Sequence, residues 1–156
     1  MQRPAAGPTR AQKRRWLGDL TRQFEQWLRV QTSDEAGDER KRALRQCAEH
    51  TCSAGPVEVT VLLGPSSALD PSRRPQVAIE YIEVRRDARR NGLGVAAIER
   101  LREVALARDL GFVVDTVVNP HLLAALERRP TLFALVGDPA EGGPPSFAAV
   151  RPRVIL

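Results

Sequence analysis

The chain has 156 residues, of which 42% are hydrophobic and only 4% aromatic, enough for one domain whose core is built from Leu, Val, Ile and Ala, and too few for two. Its formal net charge of +5 sits wholly in residues 1–30, where Arg3, Arg10, Lys13, Arg14, Arg15, Arg22 and Arg29 are set against only Asp19 and Glu25. No run approaches the ~20 apolar residues of a membrane span, the start lacks the apolar stretch of a signal peptide, and Cys47 and Cys52 with His50 between them make neither a secreted disulfide framework nor a four-ligand zinc site. A cytoplasmic protein with no metal is the expectation. The basic excess suits an anionic ligand, an acidic protein or nucleic acid, and equally a solvated helix face.

Residues 1–8 read as a loose tail. From Thr9 to Val30, Trp16/Leu17, Leu20, Phe24 and Trp27/Leu28 recur on one helical stripe, with Thr9 as candidate N-cap. Arg10, Lys13, Arg14 and Arg22 are expected largely off that stripe. A polar break, QTSDEAGD, leads into a second expected helix, Asp38–His50, with Ala43, Leu44 and Cys47 inward. These helices form an N-terminal segment, 9–55, ahead of a second unit, 56–156.

After Gly55-Pro56 the period becomes extended. Val57, Val59, Val61 and Leu63 alternate with Glu58, Thr60 and Leu62, as in a strand. GPSSALDPSRRP is a loop, and Gln76–Val84 is a second strand. Residues 92–109 repeat Val95, Ile98, Leu101 and Ala105 on one helical face. Phe112–Val118 is an apolar strand of the buried type. A short helix, Leu122–Glu127, and strands at Thr131–Val136 and Phe147–Val150 complete the order. The strand–helix–strand unit 76–118 demands parallel strands, and the last two strands suit an antiparallel pair. The fold class is α/β, a mixed sheet with flanking helices, preceded by two helices.

The informative stretch is VRRDARRNGLGVAAIERL, from Val84 to Leu101. Gly92 and Gly94 let the backbone turn sharply and let a ligand approach it. The first amides of the following helix have no internal acceptor and lie at the positive end of its dipole. Arg89 and Arg90 add guanidinium groups that match phosphate oxygens. The stretch suits a phosphate or pyrophosphate; the plainer alternative is a tight strand-to-helix turn. A P-loop would need Lys-Ser/Thr where Val95 and Ala96 stand. The dinucleotide fingerprint matches Gly92, Gly94 and Ala97, with Asp115 a strand later, but its glycines sit at the strand tip, and here Arg85–Asn91 intervene.

The segment resembles the acetyl-CoA-binding motif of the GNAT superfamily of N-acetyltransferases. In that family a strand ending in Val is followed by a short loop and Arg/Gln-x-x-Gly-x-Gly/Ala at the head of a long helix; here these are Val84, Arg89, Gly92 and Gly94. A further strand then ends in an Asn that begins a short helix, here Asn119. The resemblance covers residues 57–150 and is strongest over 77–119. It implies a GNAT-like sheet and acetyl-CoA as cosubstrate. It also implies that the backbone of Ile82–Val84 pairs with the pantetheine arm. The amides of Arg89, Arg90, Asn91, Gly92, Leu93, Gly94 and Val95 would hold the pyrophosphate, and Asn119 would contact the cofactor. The sequence departs from the family at Arg86, where proline is common, at Arg90, where glycine is common, and at Leu126, where a tyrosine often acts as acid. The family's usual two antiparallel strands before Val57 are not evident.

Acetyl transfer needs a deprotonated amine and a hydrogen bond to the developing oxyanion. The acceptor would be a small-molecule or peptide amine. Candidate bases are Glu80 and Glu83, three apart and so on opposite faces of a regular strand. Glu80 would share a face with Ile82 and Val84, where apolar neighbours raise a carboxyl pKa; either glutamate could instead pair with an arginine. Tyr81, the sole tyrosine, is a candidate acid or a core residue, and His121 a surface residue at a helix start. A competing reading is a non-catalytic scaffold that binds nucleic acid or a protein through its basic first helix, or a homodimer formed through its tryptophan stripe.

Overall fold

The computed structural model describes residues 7–32, 48–65, 74–115, 117, 119–136 and 145–150. Helix α1 spans Arg10–Thr32. Thr9 caps it reciprocally with Gln12: the Gln12 amide donates to Thr9 Oγ1 at 3.1 Å, and Thr9 N–H donates to Gln12 Oε1 at 2.9 Å. This satisfies an otherwise orphan amide of the first turn. Leu20, Phe24 and Leu28, spaced by four, form its buried edge.

Six strands make one mixed sheet in the order β1-β2-β3-β4-β6-β5. β1 (Ala48–Ala54) and β2 (Val57–Gly64) are an antiparallel pair joined by Gly55-Pro56. β2 is antiparallel to β3 (Gln76–Val84), which runs parallel to β4 (Gly111–Val114). Between them comes helix α2 (Leu93–Ala107), the crossover that parallel neighbours require. Helix α3 (Pro120–Glu127) leads to β5 (Phe133–Val136), and β6 (Ser146–Ala149) returns antiparallel between β5 and β4.

The sheet reading of β2 holds residue by residue. Val57, Val59, Val61 and Leu63 are all buried, and they join Leu20, Phe24 and Leu28 of α1 and Ile98, Leu101 and Ala105 of α2 in one core. Each of these side chains larger than alanine contributes roughly 1.5–3 kcal/mol by leaving water. α1 packs on β1 and beside α2, and α2 on β3 and β4. Arg102 of α2 is buried but not orphaned: Nε donates to Leu132 O (3.1 Å) and Nη2 to Val150 O (2.7 Å), which ties the helix to the far end of the sheet.

The second expected helix is corrected at its end. Residues 48–50 open β1, and the rest of that stretch, 38–47, lies outside the described residues. One strand thus precedes Val57 after all. Ala48, His50, Cys52 and Ala54 do alternate inward, but none is a large aliphatic residue, and aromatic residues of α1 lie over this hairpin. Trp27 stacks on His50 with ring centroids 5.3 Å apart, and the Trp16 indole lies against Gly55. The tryptophan stripe therefore packs on this chain's own sheet. Gln23 completes the join: its side-chain amide donates to Ser53 O (2.8 Å) and accepts from Ser53 N (3.1 Å), as a neighbouring strand would.

Candidate functional site

Parallel strands β3 and β4 pair only from Gln76↔Gly111 to Ile79↔Val114. Asp115 N still reaches Ile79 O at 3.3 Å. Beyond that point β3 continues to Val84, five residues further, while β4 has ended. Among the described residues, no strand therefore pairs with the β4 side of Glu80–Val84, which leaves a slot in the pairing of the sheet there.

At the mouth of the slot the chain turns into α2. Arg85 N–H donates to Pro56 O (2.8 Å), and a single 3-10 turn, Arg86–Ala88, follows with Ala88 buried. Asn91 braces the loop, its Nδ2 donating to Ala88 O (3.2 Å) and Arg89 O (3.1 Å). Arg90 and Gly92 both lie in the left-handed region, with φ of 65° and 72°, so the glycine usual at position 90 in the resemblance has a backbone reason. Gly92 is the N-cap of α2, and no side chain caps it. The amides of Leu93, Gly94 and Val95 thus begin a helix with no acceptor of their own. A Cβ on Gly92 would meet nothing within 4 Å, and one on Gly94 only Val84 Cγ2 at 3.8 Å, an ordinary contact. Packing therefore gives no reason for glycine at 94, where it weakens the helix by up to ~1 kcal/mol. Arg85, Arg86, Arg89 and Arg90 are all exposed around this turn. Asn119 caps α3: its Oδ1 accepts from His121 N (2.9 Å) and Leu122 N (3.2 Å), with Pro120 in the first turn.

The family model of the acetyltransferase (GNAT) family matches residues 21–128, more than half of the chain and all of this loop. The chain belongs to the GNAT family. A crystal structure from Agrobacterium tumefaciens named "putative acetyltransferase" aligns over 96% of this chain and 97% of its own, at 13% identity and a TM-score of 0.44. No curated protein matches the sequence.

Around this GNAT loop the side chains expected to do chemistry are arranged differently from a regular strand. Thr60 faces Tyr81 while Val61 faces Ile79, so Glu80 is an extra residue in a β-bulge. The bulge resets the alternation: Ile79 and Ile82, three apart, oppose Val61 and Val59 of the buried face. Glu80 accordingly does not share the apolar face of Ile82 and Val84; it is exposed, and the apolar neighbours expected around it are not there. Tyr81 is not core: it is 49% exposed, and its phenol donates to Glu83 Oε2 at 2.7 Å. Donation to that carboxylate, with the charges of Glu83 and Glu58 nearby, raises the Tyr81 pKa, and Arg89 opposes the shift. Glu80, Tyr81 and Glu83 are thus consecutive exposed positions beside the slot, broken only by half-buried Ile82. Arg89 is tied to the strand, Nε donating to Val84 O at 2.8 Å.

His121 is exposed at the α3 start, and Leu126 is fully buried, so the family's usual tyrosine position points here into the core. Cys52 is buried and free on β1. Sequence reasoning missed Lys13. Far from lying off the stripe, it is half-buried, and its ammonium donates to Asn91 O at 3.5 Å. Its spacing of three, four and seven from Trp16, Leu17 and Leu20 was the signal that it faces inward.

Proposed function

We propose that this GNAT protein is an N-acetyltransferase that moves an acetyl group from acetyl-CoA to an amine, in the cytoplasm, a compartment that suits the free thiol of Cys52. The observation that carries the reading is the uncapped start of α2, where Gly94 is a glycine that no protein contact requires. A backbone left bare beside unpaired amides and arginines fits close approach by a diphosphate. The amides from Arg89 to Val95 and the guanidinium groups of Arg89 and Arg90 would hold it. The backbone of Ile82–Val84, in the slot left by β4, would align the pantetheine arm, and Asn119 would offer its Nδ2. Acetyl-CoA supplies the activated thioester.

The chain's own part is to align and to move protons. An amide of the unflanked stretch of β3 is available to the developing oxyanion. Glu80, exposed on the bulge, is the candidate base for the acceptor ammonium. Tyr81 keeps its proton at Oη, oriented by Glu83, and is the candidate donor to the leaving sulfur. Tyr81→Phe and Glu80→Gln should each lower kcat by about 10²-fold if so; unchanged turnover in both would remove these roles.

The decisive measurement is thermal unfolding with and without acetyl-CoA. At 100-fold over Kd, linkage adds about 2.7 kcal/mol, or roughly 5–10 °C for a chain of this size. Gly94→Ala separates ligand from fold. The new methyl fits the protein, so Tm holds or rises slightly, while it intrudes on the diphosphate and weakens binding at least about tenfold. No shift at millimolar acetyl-CoA would sink the reading.

A second reading rests on a specific feature: Arg10, Arg14, Arg15, Arg22 and Arg29 are exposed along α1. A non-catalytic module could grip nucleic acid there. Deleting α1 cannot test this, since Leu20, Phe24 and Leu28 belong to the core. Reversing Arg14, Arg15 and Arg29 to glutamate can. Nucleic-acid binding that weakens steeply with salt and vanishes in the triple variant would support it.

A further inference from the structure

Lys13 belongs to a helix far from the glycine loop in sequence, yet it ends on that loop. Its ammonium lies 3.5 Å from the carbonyl of Asn91, the residue immediately before Gly92. The contact is not a chance reach of a surface side chain. Lys13 is half-buried at the N-terminal end of the stripe that continues through Leu20, Phe24 and Leu28. The capping pair Thr9–Gln12 fixes the first turn of α1 just before it. Gly7 lies against the Asn91 side chain, so that an added Cβ would sit 3.4 Å from Oδ1. Asn91 is in turn pinned to Ala88 and Arg89. The start of α1 and the loop that opens α2 are therefore joined by two separate contacts, both made to Asn91.

An inward-facing lysine is costly unless something answers its charge. Among the described residues no carboxylate forms an ion pair with Lys13. The carbonyl of Asn91 takes one of its three donors, by a long bond, and leaves two. Two residues after Asn91 the uncapped amides of Leu93–Val95 begin. One short loop thus carries both the lysine contact and the bare helix start.

We infer that Lys13 is a phosphate ligand of the cosubstrate, which makes α1 part of the anion site. This rests on the acetyl-CoA reading above. The phosphoryl oxygens it meets belong either to the diphosphate or to the 3′-phosphate of the ribose, and the same experiment separates them. The position gives one cation of the basic α1 a use within the chain itself.

The test is calorimetric titration of the full chain with CoA and with dephospho-CoA. It compares wild type, Lys13→Met, Lys13→Arg and Arg22→Ala, with the Tm of each recorded. Lys13→Met keeps the packed stem and removes the charge, and Kd for CoA should rise about tenfold while Lys13→Arg recovers most of the affinity. Arg22→Ala, which removes one exposed charge of the same helix, should leave Kd unchanged. An equal loss with both ligands assigns the diphosphate; a loss with CoA alone assigns the 3′-phosphate. Tight wild-type binding that Lys13→Met leaves unaltered overturns the role of Lys13 and spares the acetyl-CoA reading. Wild type that binds neither ligand overturns both.

Discussion

Arg90 sits at φ 65°, where the Cβ of an L-residue crowds its own backbone. Such a conformation costs roughly 1–2 kcal/mol, and here it is kept at the mouth of the proposed anion site. Arg90→Gly should therefore stabilise the protein by about 1 kcal/mol in urea unfolding and at the same time weaken acetyl-CoA binding. Stability and affinity moving together would refute the assignment of strain and charge to this one side chain. Cys52 offers a residue-scale test of a different kind. Burial pushes its thiol up to about 11 from 9.0. Between these values the unfolded chain gives up the proton and the native chain keeps it, so the native state binds more protons and stability falls as pH rises. The contribution is fully present below pH 9. The stability gap between wild type and Cys52→Ala should shrink by on the order of 2 kcal/mol between pH 8.5 and 10.5, which unfolding at the two pH values would show.

At the scale of elements, α1 and the β1–β2 hairpin are fitted by volume. Gly55 has φ 56°, and a Cβ there would come within 2.4 Å of the Trp16 indole nitrogen. Gly55→Ala should cost about 2–3 kcal/mol. Combining it with Trp16→Leu should recover the steric part but not the backbone part, a coupling that a double-mutant cycle measures. Helix α3 depends on its cap. Asn119→Ala should cost about 1 kcal/mol, whereas Asn119→Asp keeps the Oδ acceptor and should leave Tm nearly unchanged. If Nδ2 serves the cosubstrate, the aspartate variant binds acetyl-CoA more weakly with its stability intact; equal affinity would confine Asn119 to capping.

Over the whole molecule, what could be read from the chain was whatever local chemistry fixes. The α1 stripe, the alternation of β2, the strand β3 and the helix after Gly92 all follow from period, caps and glycines within a few residues of one another. The local pattern, by contrast, begins the last helix at Leu122, and only the GNAT resemblance points to Asn119 as its start. β1 escaped because its inward residues, Ala48, His50, Cys52 and Ala54, carry little apolar signal until Trp27 and Trp16 are laid over them. The bulge escaped because nothing in EYIEV marks Glu80 as an extra residue; only pairing against Thr60 and Val61 does. That one insertion decides the faces of Glu80, Tyr81 and Ile82, and so leaves Glu80 exposed as well as Glu83. Sequence alone determined that residues 89–95 form a glycine turn at a helix start with arginines around it, since these are properties of adjacent backbone. Tertiary structure decided that β4 stops short of the end of β3 and leaves a slot, and that Lys13 reaches Asn91 across 78 residues, because strand pairing and helix packing join parts of the chain that no local pattern connects.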